Sequence, residues 1–241
     1  MEKSNRRIEI IDALRGLSVV LMVIHHLLFN IWQFLDGPRW LFTNPVFDIL
    51  HLIFAGLFIF LSGVSSRFSQ DNIRRGAIVA VFAVIITYVT VRVVNMPIWF
   101  GILHLLGFSM LFYGLTHKVW NLIPKMIAPY AYIAAIVLSV MALSDMHLTS
   151  DTAWMRDGLW ILGWRQVGYV SHDYFPILPW IFVFLLGTWA GWFIKERKLP
   201  TGFYNIKPPI FPAIGRKALI IYLLHQPILY GLVMLWLRFR G

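Results

Sequence analysis

The chain lacks cysteine and has few acidic residues. None of its 241 residues is cysteine, and 11 are aspartate or glutamate against 21 lysines and arginines. Without a thiol, the chain forms no disulfide, no thiolate metal site and no cysteine-linked acyl intermediate. Charged residues make up 13% of the sequence, whereas soluble domains carry roughly 25%. This scarcity of charge argues against a soluble domain and against a disordered tail.

Apolar side chains are abundant instead. Hydrophobic residues form 59% of the sequence, and the mean hydropathy is +0.71. Seven stretches are long and apolar enough to cross the hydrocarbon core, which takes about 20 residues each. They are approximately residues 11–34, 48–66, 76–94, 98–116, 127–145, 177–195 and 214–237. We therefore predict an all-α, polytopic membrane protein with seven transmembrane helices, whose 241 residues form a single domain.

The distribution of basic residues predicts the orientation. With the N-terminus in the cytoplasm, fifteen lysines and arginines fall on the cytoplasmic side and six on the other. Cytoplasmic loops of membrane proteins are enriched in these residues. The N-terminus is therefore expected inside and, with seven spans, the C-terminus outside. The net charge of +10 then reflects topology and contact with lipids, and we expect no nucleic-acid partner.

The connection 146–176 is rich in tryptophan but too broken to span the membrane. Trp154, Trp160 and Trp164 lie among polar residues there, a pattern typical of an amphipathic helix in the membrane interface. Tryptophan anchors such a helix at the headgroups. Stacking against a sugar or another acceptor is the alternative function of these rings.

The first span begins like a signal peptide but carries Asp12 and Arg15 and no small-residue cleavage site, so we interpret it as a retained helix. Ionisable groups inside a membrane are costly and indicate function. Four polar side chains fall within about 60° of one another on one face: Asp12, Arg15, His26 and Asn30. Either Asp12 and Arg15 pair with each other, or the face belongs to a site. His25 points roughly 100° away from His26.

Histidines recur at similar depth in two other spans. His104 lies near the outer end of the fourth predicted span, and His225 lies near the middle of the last one, where it shares a face with Tyr222 and Gln226. Their convergence with His26 favours a buried site that handles protons. Metal sites need closer spacing or a carboxylate beside the histidines, so we expect no metal.

Basic residues also border the predicted cytoplasmic helix ends: Arg67, Arg74, Arg75, Arg216 and Lys217. Topology alone accounts for them. The functional alternative is that they gather the phosphates of a cytosolic ligand. Small residues in the segment LSGVSS, which contains Ser62, and Gly187 and Gly191 in GTWAG are typical of close helix packing, and they leave a homodimer open.

The order of several motifs resembles a known family. The segments are IDALRGLSVVLMVIHH, FLSGVSSRFS, NIRRG, FGILHLLGFSMLF, DYFPILPWIFVFLLG and IGRKALIIYLLHQPIL. Together, over about residues 8–235, they resemble small bacterial membrane proteins similar to the catalytic domain of heparan-alpha-glucosaminide N-acetyltransferase. The wider superfamily includes the type 3 membrane acyltransferases, in which an arginine near the start of the first helix precedes a functional histidine by eleven residues. Arg15 and His26 match that spacing.

The resemblance implies an enzyme of a prokaryotic cytoplasmic membrane that transfers an acyl group from cytosolic acetyl-CoA to an extracytoplasmic acceptor, commonly a carbohydrate. Combined with the polar residues above, it gives a predicted site in two parts. The predicted catalytic residues are His26, Asn30, His104 and His225. The predicted donor-binding residues are Asp12, Arg15, Ser62, Arg67, Arg75, Arg216, Tyr222 and Gln226. His26 is expected to act as general base on a hydroxyl or amine, and an acetyl-histidine intermediate is the alternative route.

Two other classes of protein fit the composition. A small-molecule transporter or lipid flippase also places polar residues and proline kinks in buried helices. A non-catalytic membrane partner would use its histidines only for packing. Dependence on acyl-CoA separates the enzyme from both alternatives.

Overall fold

A computed structural model describes residues 7–41, 44–145, 158–164 and 169–240. Within these ranges the chain folds into helices and contains no strand, which confirms the all-α class. A 3₁₀ turn covers Arg39–Leu41, and a π-helical turn, Thr90–Val94, continues the third helix. The described helices are α1 (Glu9–Phe34), α2 (Pro45–Phe68), α3 (Asn72–Val89), α4 (Ile102–Leu122), α5 (Ala128–Asp145), α6 (Leu159–Leu162), α7 (Ile177–Lys195), α8 (Thr201–Asn205), α9 (Phe211–Arg216) and α10 (Ala218–Arg240).

Each of the seven predicted spans contains a helix. In the described part of the chain, five helices are long and apolar enough to cross a membrane: Glu9–Phe34, Pro45–Phe68, Asn72–Val94, Ile177–Lys195 and Ala218–Phe239. Ala128–Ser144 is apolar but shorter, and α4 does not belong to the group of five. The chain is therefore a helical membrane protein, while the count of seven and the cytoplasmic N-terminus stay predictions.

The last predicted span differs from the structure at its start. Residues 214–237 read as one apolar run, but the chain breaks near Lys217, whose backbone is not helical (φ −104°, ψ 13°). The six residues before it form the separate helix α9, and α10 begins at Ala218. Two basic residues, Arg216 and Lys217, stand at the break, but a hydropathy window of about 20 residues averages over them.

The described residues form two compact units. The first contains the residues up to Leu61 and from Leu199 onward, which include α1, most of α2, α8, α9 and α10. The second runs from Ser62 to Lys198 and contains the end of α2 with α3 to α7. The single domain predicted for residues 1–241 stays a prediction.

In the first unit, α9 packs on the first turns of α1 through two glycines. A Cβ atom on Gly16 would lie 2.2 Å from the carbonyl oxygen of Phe211, and one on Gly215 would lie 1.8 Å from the carbonyl oxygen of Asp12. Neither position accommodates a side chain without moving backbone. The contact therefore fixes the start of α1 against α9.

Glycines also allow two helices to pack closely in the second unit. A Cβ atom on Gly63 would lie 2.0 Å from the carbonyl oxygen of Phe184, and one on Gly191 would meet the carbonyl oxygen of Val64 at 2.9 Å. The small residues of LSGVSS and GTWAG thus pack α2 against α7, as the sequence indicates.

Part of the tryptophan-rich connection, including Trp154, lies outside the described residues. The described part contains the four-residue helix α6. The ring of Trp160 lies 6.2 Å from Phe100 and 5.7 Å from Tyr169 (ring centroids), and the hydroxyl of Tyr174 donates to the carbonyl oxygen of Trp160 at 2.5 Å. Trp160 therefore packs among aromatic rings of the second unit.

Candidate active site

A pair of histidines joins α1 to α10 in the first unit. The Nδ1 atom of His26 lies 2.7 Å from the Nε2 atom of His225, and the two rings stack with centroids 4.8 Å apart at 23°. His225 is buried, whereas His26 is partly buried. Residues 199 positions apart thus form one hydrogen-bonded unit.

A backbone carbonyl fixes the direction of this hydrogen bond. The Nδ1 atom of His225 lies 2.6 Å from the carbonyl oxygen of Tyr222. Because a carbonyl only accepts, Nδ1 of a neutral His225 carries the proton and its Nε2 is an acceptor. The Nδ1–H of His26 then donates to that Nε2. In the neutral pair, the lone pair of His26 is therefore on Nε2, and no described residue hydrogen-bonds to that atom.

Two amides extend the pair along the same helices. Asn30 lies one helical turn after His26, is 2% exposed, and donates from its amide nitrogen to Oε1 of Gln226 at 3.3 Å. Because Oε1 of Gln226 accepts this bond, the NH₂ group of Gln226 is left to donate. It has no acceptor among the described residues. The first unit thus contains a basic nitrogen on His26 and an amide donor on Gln226, the residue next to the hydrogen-bonding partner of His26.

A second pair of histidines lies in the same unit. The rings of His25 and His51 stack with centroids 4.4 Å apart at 16°, and the buried ring of Phe54 lies 6.0 Å and 5.5 Å from them. Sequence reasoning set His25 aside because it points away from His26, and it missed His51. The available signal was a histidine three residues after the start of the predicted span 48–66.

At the start of α1, Asp12 binds two arginines. Its Oδ2 atom lies 2.5 Å from Nε of Arg7, and its Oδ1 atom lies 2.9 Å from Nη1 of Arg15. Asp12 is 4% exposed, so the carboxylate is neutralised where water is scarce. The pairing alternative for Asp12 and Arg15 is therefore what the structure shows. Arg216 is exposed at the end of α9, and the donor-binding role predicted for these residues stays a prediction.

His104 lies in the second unit, with both ring nitrogens bonded. Its Nδ1 accepts from the backbone N–H of Gly101 at 3.2 Å, and its Nε2 lies 3.0 Å from Oγ1 of Thr87. That hydroxyl donates to the carbonyl oxygen of Ile98 at 2.6 Å, so Nε2 carries the proton and donates to it. These bonds join the start of α4 to the end of α3. The catalytic role predicted for His104 remains a prediction.

Three cations gather at helix ends in the second unit. Nη1 of Arg67 donates to the hydroxyl of Tyr113 at 3.1 Å and to Oδ1 of Asn121 at 2.8 Å, and Nζ of Lys195 donates to the carbonyl oxygen of Arg67 at 3.4 Å. Partial burial, and after it the charge of Arg67, lower the pKa of Lys125. No carboxylate among the described residues pairs with Arg67. We call Arg67, Lys125 and Lys195 the cationic cluster.

The remaining predicted residues have separate surroundings. Ser62 is buried, and its carbonyl oxygen accepts from the hydroxyl of Ser66 at 3.0 Å within α2. Arg75 is partly buried in the first turn of α3. Their predicted contact with a donor is untested. Over the described ranges, no group of three or more histidines and carboxylates is placed to hold a metal ion.

Comparison with known proteins gives one match. The family model described as heparan-alpha-glucosaminide N-acetyltransferase, catalytic, matches residues 7–227, which is nearly the whole chain. No curated protein and no solved structure matches. The matched range includes the residues of both histidine pairs, the two amides and the cationic cluster.

Proposed function

Because the chain belongs to the heparan-alpha-glucosaminide N-acetyltransferase catalytic family, we propose that it transfers an acetyl group from cytosolic acetyl-CoA to an extracytoplasmic carbohydrate amine or hydroxyl. The family match and the five apolar helices support a membrane acetyltransferase. They favour it over a transporter or a non-catalytic partner. The proposed location is the cytoplasmic membrane of a prokaryote, with the N-terminus inside.

The observation that carries this proposal is the direction of the hydrogen bonds from His26 to the carbonyl of Tyr222. Nε2 of His26 takes the proton of the acceptor as the acceptor attacks the acetyl carbon. The resulting imidazolium keeps its Nδ1–H on His225, whose own Nδ1–H remains on the carbonyl. His225 thus orients and stabilises His26, as the third member of a catalytic triad does for its histidine. The C–S bond breaks, and the thiolate takes the proton.

Gln226 is proposed to stabilise the tetrahedral intermediate. Asn30 holds the side-chain oxygen of Gln226, and this contact fixes the orientation of the NH₂ group. A donor held in advance at a partly dry site stabilises a developing oxyanion. An acetyl-His26 intermediate would use the same Nε2 lone pair, and it would need the same donor.

We propose that the cationic cluster of the second unit binds phosphate groups of the donor. Its arginine is held by two neutral partners, a hydroxyl and an amide oxygen, so its charge remains available to an anion. Arg67 and Lys195 lie in the last turns of α2 and α7, where the helix dipole also stabilises a cation. The dipole explains one cation at the end of each helix. It does not explain why three cations lie near one another when no carboxylate among the described residues pairs with Arg67.

The test is release of CoA from acetyl-CoA by the detergent-purified protein, with glucosamine as acceptor. The chain has no cysteine, so a thiol reagent reports CoA without protein background. His26→Gln removes the base and is expected to lower the rate by about 100-fold or more. His225→Gln weakens the orientation of His26 and is expected to lower the rate by about tenfold.

The matched control is His117→Gln, which changes an exposed histidine of α4 and should leave the rate unchanged. Wild-type activity in His26→Gln would overturn the assignment of the base. Failure of the wild-type protein to release CoA with either glucosamine or N-acetylglucosamine would overturn acetyl transfer to a sugar.

A further inference from the structure

Four imidazole rings follow one another in the first unit. Ring centroids are 4.4 Å apart from His51 to His25, 5.8 Å from His25 to His26, and 4.8 Å from His26 to His225. The proposed mechanism of acetyl transfer uses only His26 and His225. The series begins one helical turn after Asp48, an exposed carboxylate in the first turn of α2.

Acetylation of a protonated amine releases a proton, whereas acetylation of a hydroxyl does not. An ammonium acceptor, R–NH₃⁺, becomes R–NH–CO–CH₃ and loses two protons, while the C–S bond breaks and the N–C bond forms. The thiolate of CoA takes one proton, so one is released for each turnover. A hydroxyl acceptor loses one proton, the thiolate takes it, and no proton is left over. An enzyme that acetylates buried amines therefore needs a path by which the extra proton leaves.

We propose that His25 and His51 form this path, carrying the released proton from His26 to Asp48 in the first turn of α2. The proposal rests on the proposed acetyl transfer and commits it to a protonated amine acceptor. An imidazole accepts a proton at one nitrogen and donates it from the other. The rings of His25 and His51 stack face to face, so their in-plane N–H bonds do not point at each other, and the proton passes between neighbouring rings through a bridging water.

The surroundings of the stacked pair support the path. His25 and His51 are partly buried, and the buried ring of Phe54 closes one side. Ionisable groups face the series from each helix that contributes to it: His25 and His26 from α1, Asp48 and His51 from α2, and Tyr222 and His225 from α10. Asp48 is the carboxylate among them, which gives the series an acidic end at the exposed side. With the N-terminus inside, that end faces the outer side.

His51→Phe is the informative substitution because it keeps an aromatic ring to stack on His25 and removes the titratable nitrogens. With saturating glucosamine, it is expected to lower turnover by about tenfold or more. Added imidazole buffer should restore part of the loss in His51→Phe and none in His26→Gln. With N-acetylglucosamine, whose amine is already acetylated, His51→Phe should match the wild type. His172→Phe, which changes an exposed histidine of the second unit, is the matched control and should leave both rates unchanged.

A second measurement does not depend on turnover. In protein labelled with ¹⁵N-histidine, imidazole proton exchange with solvent at His26 is expected to be several-fold slower in His51→Phe than in the wild type. His172→Phe should show the wild-type exchange rate. Slower exchange at His26 in His51→Phe supports the proton path even if the wild-type protein releases no CoA. In that case the proposed acetyl transfer is wrong, but the proton path stands. Unchanged exchange at His26 overturns the path. A loss of turnover that is equal for both acceptors and insensitive to imidazole also overturns it.

Discussion

At the scale of single residues, His26 in the first unit and Arg67 in the second differ in how their charge is balanced. His26 is neutral, and its Nε2 is left unprotonated because its Nδ1–H donates to His225, whose own Nδ1–H donates to the carbonyl of Tyr222. Arg67, in contrast, is a permanent cation held by a hydroxyl and an amide oxygen. The first arrangement suits the removal of a proton, and the second suits an anion.

Lys125 makes the anion site sensitive to pH. Partial burial, and after it the nearby charge of Arg67, hold the pKa of Lys125 below its usual value. The free protein therefore loses this proton at a lower pH than an unperturbed lysine would. A bound phosphate favours the charged form. Acetyl-CoA binding is thus coupled to proton uptake, and its affinity should fall as pH rises through the lowered pKa.

Calorimetry of acetyl-CoA binding at several alkaline pH values checks this coupling. Lys125→Gln is expected to weaken binding by about tenfold at neutral pH, because it removes one charge-assisted hydrogen bond, and to flatten the pH dependence. Lys118→Gln, which removes an equal charge from an exposed position on α4, should leave both unchanged. A wild-type affinity that does not vary with pH would contradict the role of Lys125.

The same lysine also affects folding. Its pKa is lower in the folded than in the unfolded chain, so the unfolded chain binds more protons between the two values. Stability therefore rises with pH across that window. Alkaline pH therefore changes two free energies in opposite directions: it stabilises the folded protein without ligand, and it weakens the binding of acetyl-CoA.

At the scale of helices, the start of α1 depends on α9. Carbonyl oxygens of Phe211 and Asp12 occupy the space where side chains of Gly16 and Gly215 would stand. Gly215→Ala forces backbone to move and is expected to destabilise the protein by about 1–3 kcal/mol. Gly231→Ala is the matched control, because nothing lies within 4 Å of the added methyl group and alanine favours a helix by about 0.5–1 kcal/mol.

Thermal unfolding in detergent measures both changes. The melting temperature should fall for Gly215→Ala and stay or rise for Gly231→Ala. Equal melting temperatures for the two variants would mean that α9 does not pack tightly on α1 in the membrane protein.

The sequence predicted the long helices because hydrophobic length is a local property. It placed His26, His104 and His225 at similar depth, but depth alone did not identify which of them form a hydrogen bond. It did not predict the separate helix α9, because a hydropathy window of about 20 residues averages over the two basic residues at the break, Arg216 and Lys217. His104 shows a further limit: depth and spacing matched a catalytic histidine, but they say nothing about the N–H of Gly101 and the hydroxyl of Thr87 that bind its ring.

At the scale of the whole molecule, the proposed function requires one particular orientation of the chain in the membrane. Acetyl-CoA is cytosolic, so the cationic cluster must face the cytoplasm for the donor phosphates to reach it. Arg67 and Lys195 lie at the ends of α2 and α7, and Lys125 precedes α5. With the N-terminus inside and seven spans, all three positions are cytoplasmic, and the start of α2 with Asp48 is outside. The distribution of lysine and arginine and the chemistry thus require the same orientation.

Because the chain has no cysteine, single introduced cysteines can test this orientation with a membrane-impermeant maleimide on intact cells. Asn95→Cys, after α3, and His172→Cys, before α7, are expected to react. Ser69→Cys, between α2 and α3, should react only after permeabilisation. Arg238→Cys, near the end of α10, tests the count, since an odd number of spans places it outside. The reverse pattern at Ser69 and Asn95 would contradict a cytoplasmic N-terminus, and an inaccessible Arg238→Cys beside a reactive Asn95→Cys would contradict seven spans.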